Sequence, residues 1–203
     1  MNAVNDLFGR EEVIRMPPLS KAAIESVAEE VVGEICPEAL ERPTELDLLG
    51  WVDHELPQRG IHVSPADPAM LGDAEGLTLP DRENVEILIA EPLWDGLLRG
   101  GRRAYRGRAT VAHELGHAVL HVATIRRRMK SGALGAHLLK RVARGSIKTY
   151  ECPEWQAWTF AGFLMAPRRT VNMLADRSAP AVSEVFGMSV DMARVHKGRL
   201  GIR

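Results

Sequence analysis

The stretch His113-Glu114-Leu115-Gly116-His117 spells H-E-x-x-H, five consecutive residues that can supply two metal ligands and a general base. On a helix the two histidines stand one turn apart on the same face. Both imidazoles then reach one ion, and Glu114 projects beside them toward a bound water. Val111, Leu115, Ala118, Val119 and Val122 form an apolar face of helical period, set off from His113, Glu114 and His117. The pattern predicts a zinc site with peptidase chemistry. The plainer competing reading is a buried helix whose histidines are satisfied by hydrogen bonds.

A catalytic zinc commonly takes three protein ligands and leaves a further position to water, so His113 and His117 need one more partner. Downstream of Glu114 the acids are Glu151, Glu154, Asp176, Glu184 and Asp191. Glu154 is the preferred candidate because it lies near the start of an apolar helical stretch with Ala157, Phe160, Ala161 and Leu164; Glu151 is its nearest rival. His121 continues the spacing from His117. A helix rises about 1.5 Å per residue, which puts it ~12 Å along the axis from His113. That is too far to share an ion bound at about 2 Å, so His121 is expected to pack or to support a ligand. The longer H-E-x-x-H-x-x-G-x-x-H pattern is absent, since Leu120 and Ala123 stand where it requires Gly and His.

The elements that must hold these residues are legible in outline. Residues 1–16 show no period and read as a flexible arm ahead of a single domain over 17–203. Ser20 offers an N-cap to a helix carrying Ile24, Val27, Val31 and Ile35, ended by Pro37. A second helix is expected after Pro43 and Thr44, through Leu46, Leu49, Val52 and Leu56. Ile61–Val63, Gly76–Leu79 and Val85–Ala90 read as the strands of a small sheet. Residues 126–148 are basic and glycine-containing and read as a loop, with a short helix around His137 to Val142. Pro153 suits the first turn of a helix reaching about Met165, and two closing helices, 181–186 and 191–200, join across Gly187-Met188-Ser189.

The formal net charge of -1 conceals segregation. Residues 1–98 are strongly acidic, whereas residues 99–148 are basic and hold a single acid, Glu114. Such a basic stretch suits an acidic partner, nucleic acid, or the acidic part of the same fold. Hydrophobic content of 45% fits a globular core rather than a disordered tail. No segment has the uninterrupted apolar length of a membrane span or a signal peptide, so the expected location is cytoplasmic. Cys36 and Cys152 form no C-x-x-C spacing and suggest neither a disulfide framework nor a cysteine zinc site.

Two segments together carry a family resemblance: RATVAHELGHAVLH at 108–121 and EWQAWTFAGFLMAP at 154–167. They resemble the ImmA/IrrE family of zinc metallopeptidases, in which a helix after the H-E-L-G-H helix supplies the carboxylate ligand. The resemblance puts that role on Glu154. It extends over most of residues 20–200, with two departures: Trp158 replaces the usual Asn, and Ala109 the usual aromatic residue. It implies an α+β, mostly helical zincin-like core, with a small sheet before the motif helix and a C-terminal helical pair. It further implies Zn²⁺ on His113, His117 and Glu154, with Glu114 as the general base. The implied substrates are intracellular regulators, typically DNA-binding repressors of phage, mobile-element or stress responses.

Three points stay open at this level. His137, Tyr105 and Tyr150 are candidates to stabilise an oxyanion. The closing pair, 181–201, is similar to the family's C-terminal helices and also to a helix-turn-helix, with Arg194, Lys197 and Arg199 on its second helix. The alternative function is therefore a non-proteolytic zinc scaffold binding DNA or a partner protein, within a toxin–antitoxin or phage-related system.

Overall fold

In the computed structural model, which describes residues 12–130, 141–143 and 147–202, Ser20 caps the first long helix as its sequence predicts. Its side chain accepts the Ala23 amide hydrogen, and helix α1 (Lys21–Ile35) buries Ile24, Ala28 and Val32 at helical spacing. The second helix begins later than expected. Asp47, whose carboxylate accepts the Gly50 amide hydrogen at 2.9 Å, sets the start of a helical run over 48–58 (α2) that contains a π-helical turn, Trp51–Glu55. Gly60, at φ 70°, then turns the chain into the sheet.

The sheet has three strands, β2 (Ile61–Ala66), β3 (Gly76–Pro80) and β4 (Val85–Ala90), in the order β2-β4-β3. The number β1 belongs to a separate strand, Glu12–Ile14. Strand β4 lies between a parallel partner, with Ile61 opposite Val85, and an antiparallel one, with Thr78 opposite Ile87. Val85, Ile87 and Ile89 alternate onto its buried face, the period-2 pattern that made this strand legible. Helix α3 (Glu91–Arg99) follows at once, a segment without a sequence assignment; Pro92 lies in its first turn and Gly100, at φ 69°, ends it.

The motif helix α4 (Tyr105–Lys130) is longer than expected. Residues 126–130 are its last turn, not loop, because neither Gly nor Pro interrupts the chain there and a basic C-terminal turn suits the helix dipole. Arg126 pins this end by donating to the carbonyls of Asp81 and Asn84 at 2.8 and 2.7 Å. Most of the short helix expected around His137 lies outside the described residues. Arg141–Ala143 is instead a strand, β5, paired antiparallel with β1. The stretch expected to be a loose arm is thus tied down from residue 12. Met16 is buried, and its amide donates to the Glu151 carbonyl while Leu19 donates to that of Tyr150. Part of the segregated charge also closes on itself, through Arg106 with Glu75 and Arg108 with Glu45.

Helix α5 (Pro153–Met165) starts at its proline as expected and is the most buried helix of the fold. The closing helices, α6 (Ala179–Phe186) and α7 (Val190–Leu200), turn through left-handed Gly187 and pack on each other, and α7 also packs on α5. Arg199 donates to the Trp158 carbonyl at 3.0 Å, and Arg194 pairs with Asp191 on its own helix. His196 is wholly buried against Gly162 and donates from Nε2 to the Ala166 carbonyl at 2.8 Å. No helix among the described residues is long and apolar enough to cross a membrane.

Burial pushes the His196 imidazole down to about 4. Its folded value lies below the unfolded one, so the stability it contributes is present above about pH 6.5 and is lost as pH falls toward 4. Between pH 7 and pH 5 this single ring should lower unfolding free energy by about 2 kcal/mol. Urea titrations at both pH values should show that loss in the wild type and a smaller one in His196→Gln, which keeps a donor without a titrating ring. An equal loss in both proteins would contradict the assignment.

Candidate metal centre

Gly116, the fourth residue of the motif, is the point at which α4 and α5 touch. A Cβ there would lie 2.9 Å from Ala157 Cα and 3.0 Å from its carbonyl oxygen, so only glycine permits this approach. Glu154 sits three residues before Ala157 and is carried to the motif's histidines by that contact. His113 Nε2 and His117 Nε2 lie 3.1 Å apart, and the two carboxylate oxygens of Glu154 stand 3.3 and 3.4 Å from them. Donors arranged tetrahedrally around one ion at about 2.0–2.1 Å are separated by about 3.3–3.4 Å. These three side chains therefore fit one small metal ion, and they form a group of metal-competent ligands within 4.8 Å of one another.

Glu114 is held from the opposite side by the sheet. It is 6% exposed, and Thr78 on β3 donates its hydroxyl hydrogen to Oε2 at 2.6 Å. Gly76 leaves the space that the carboxylate side chain occupies: a Cβ there would lie 2.8 Å from both Cγ and Oε1 of Glu114. Neither Thr78 nor Gly76 is legible in the sequence as a site residue, because nothing in a short strand pattern says which side chain meets the helix.

The electrostatics are those of a buried, oppositely charged cluster. Burial works against the ionised Glu154, but hydrogen bonds from His113 and His117 and their charges hold its carboxyl far below the usual range. Burial likewise works against charge on His117; bonding to Glu154, with the charges of Glu154 and Glu114, prevails and raises it. The cluster is built to hold positive charge, as a proton or as a cation. Burial, reinforced by neighbouring His117, lowers His121 to about 3, so that ring is neutral.

Trp158 is the other wall. Its ring lies 4.3 Å from that of His113, centroid to centroid, while 39% of the residue stays exposed. His113 Nδ1 is buried and has no hydrogen-bond partner among the described residues. The rival carboxylates lie in other company. Glu151 pairs with Arg15 at 3.5 Å, Asp176 accepts from Ser178, Asp191 pairs with Arg194, and Glu184 is exposed. Of the oxyanion candidates, Tyr150 is exposed beneath the Lys148 ammonium, Tyr105 opens α4 two turns before His113, and His137 lies outside the described residues.

Gly116→Ala should force α4 and α5 apart at a cost of about 1–3 kcal/mol and move Glu154 away from the histidines. Chelator competition should then show weaker metal binding than in the wild type, with the helical circular dichroism retained. Unchanged metal affinity in the folded variant would show that the ligand geometry does not depend on this contact.

Among curated proteins no relative matches the chain. Residues 99–196 match the family model Peptidase_M78, the IrrE N-terminal-like domain. That span runs from the end of α3 through most of α7 and includes His113, Glu114, His117 and Glu154. Residues 99–196 thus match an IrrE N-terminal-like, metallopeptidase-type domain, in agreement with the ImmA/IrrE resemblance of the two motif segments.

Proposed function

We propose that this chain is a cytoplasmic zinc-dependent endopeptidase that cleaves a regulatory protein such as a DNA-binding repressor. The observation that carries the reading is the convergence of two imidazole nitrogens and a carboxylate at tetrahedral spacing, beside a carboxylate held separately by Thr78. Two histidines and a glutamate are a zinc peptidase ligand set, and zinc bound there would polarise a carbonyl and acidify water. His113, His117 and Glu154 bind and orient; their task is to fix one cation.

Glu114 has the proton-transfer role. It accepts a proton from the attacking water and returns it to the leaving amine, a task that requires a carboxylate placed beside the ligands rather than among them. Thr78 fixes the Glu114 rotamer by bonding one oxygen and leaves the other for that exchange. A metal scaffold without catalysis would need the three ligands but no held base, so the Thr78 bond favours the enzyme. Strand β3 pairs with β4 on one side only among the described residues, and an extended peptide added to its other edge would lie beside Glu114. The choice of a repressor as substrate rests on the family resemblance.

Glu114→Gln should keep the bound zinc and lower cleavage of a co-expressed repressor by about 10²–10⁴-fold. Metal analysis and a gel-based cleavage assay on the same preparation check both halves. Cleavage at the wild-type rate in the zinc-loaded variant would remove Glu114 from the reaction.

A further inference from the structure

His121 lies one turn beyond the ligand pair, 1% exposed, and it is wired rather than merely packed. Its Nδ1 is 3.0 Å from His117 Nδ1, and its Nε2 is 2.8 Å from Gln156 Oε1. Gln156 is itself 0% exposed, and its amide nitrogen donates to the carbonyls of Pro17 at 2.9 Å and Tyr150 at 2.7 Å. Those two carbonyls come from segments joined to each other by the Met16–Glu151 and Leu19–Tyr150 backbone bonds.

The donors and acceptors along this chain permit one arrangement of protons. Pro17 and Tyr150 offer acceptors only, so the Gln156 NH₂ must face them and its oxygen must face His121. A flipped amide would set oxygen against oxygen and leave buried acceptors unsatisfied. His121 Nε2 must therefore carry a hydrogen. A neutral imidazole has one N–H, so His121 Nδ1 is an acceptor and the hydrogen in the 3.0 Å contact belongs to His117 Nδ1. Once His117 is neutral, as a metal ligand must be, its Nε2, which faces His113 and Glu154, carries the lone pair.

We propose that Gln156 is a positioning residue which, held by the Pro17 and Tyr150 carbonyls, fixes the tautomer of His121 and through it that of His117, presetting His117 Nε2 as a metal ligand. The inference rests on the metal-site reading above and extends it, because it joins the N-terminal segment to the ligand set through three consecutive hydrogen bonds. A ligand preset in this way need not shift its proton between ring nitrogens when the ion binds.

The test combines two readouts on the full chain. In zinc-loaded wild type, ¹⁵N–¹H spectra of the histidine rings should show His121 protonated on Nε2 and bare at Nδ1, with His117 protonated on Nδ1. Chelator competition should show zinc bound about 10–100-fold more weakly in Gln156→Leu and in His121→Leu, and the double variant should lose no more than either single one. His121→Leu keeps the Gln156 bonds to Pro17 and Tyr150, so it separates the relay from damage to those segments and serves alone if Gln156→Leu does not fold. The opposite tautomer on His121, wild-type zinc affinity in either single variant, or losses that multiply in the double variant would overturn this inference alone. A wild type that binds no zinc would instead overturn the metal reading beneath it.

Discussion

The site depends on the approach of two helix backbones at Gly116 and Ala157. Neither residue has chemistry of its own. Their smallness lets α5 lie against α4 closely enough for Glu154, at the start of one helix, to meet His113 and His117 in the middle of the other. The sheet supplies the remaining constraint, because β3 passes the motif helix at Gly76 and holds Glu114 through Thr78. The three candidate ligands and Glu114 are thus oriented by different elements, and Glu114 is kept beside the metal-competent group rather than within it. Rigid elements hold such a constellation more accurately than loops do.

Burial gives these few polar groups their strength. Charge interactions are strongly screened in water and far less so in an interior that excludes it. Glu154 and His117 accordingly stabilise one another's charged forms against the pull of desolvation, while His121 and His196 remain neutral. The two neutral histidines are fixed by acceptors, Gln156 Oε1 and the Ala166 carbonyl. The C-terminal helices belong to this interior too. His196 fills the space at Gly162, and Arg199 reaches the Trp158 carbonyl, which ties the closing pair to the helix that bears Glu154.

Much of this was legible in the sequence because it rests on short periods and local caps. The motif spacing, the Ser20 cap, the alternation in β4 and Pro153 each act over a few residues. The joining of Glu154 to the motif histidines was legible only as a preference among five acids, sharpened by the family resemblance. What was not legible depends on contacts distant in sequence. Thr78 meets Glu114 across 36 residues, and Gln156 meets Pro17 across 139. The extension of α4 through Arg126–Lys130 was obscured because a run of basic residues has no apolar period, although tertiary bonds to Asp81 and Asn84 hold it. The β1–β5 pairing was hidden for the same reason, since three-residue strands carry almost no pattern.

The metal content of the purified protein, measured by inductively coupled plasma mass spectrometry in parallel with Glu154→Ala, decides whether these three side chains hold an ion. About one zinc per wild-type chain, held by two imidazoles and one carboxylate, is expected, with a sharply lower content in the variant. A wild type without zinc after metal-replete expression, or a variant that keeps its full complement, would contradict that assignment.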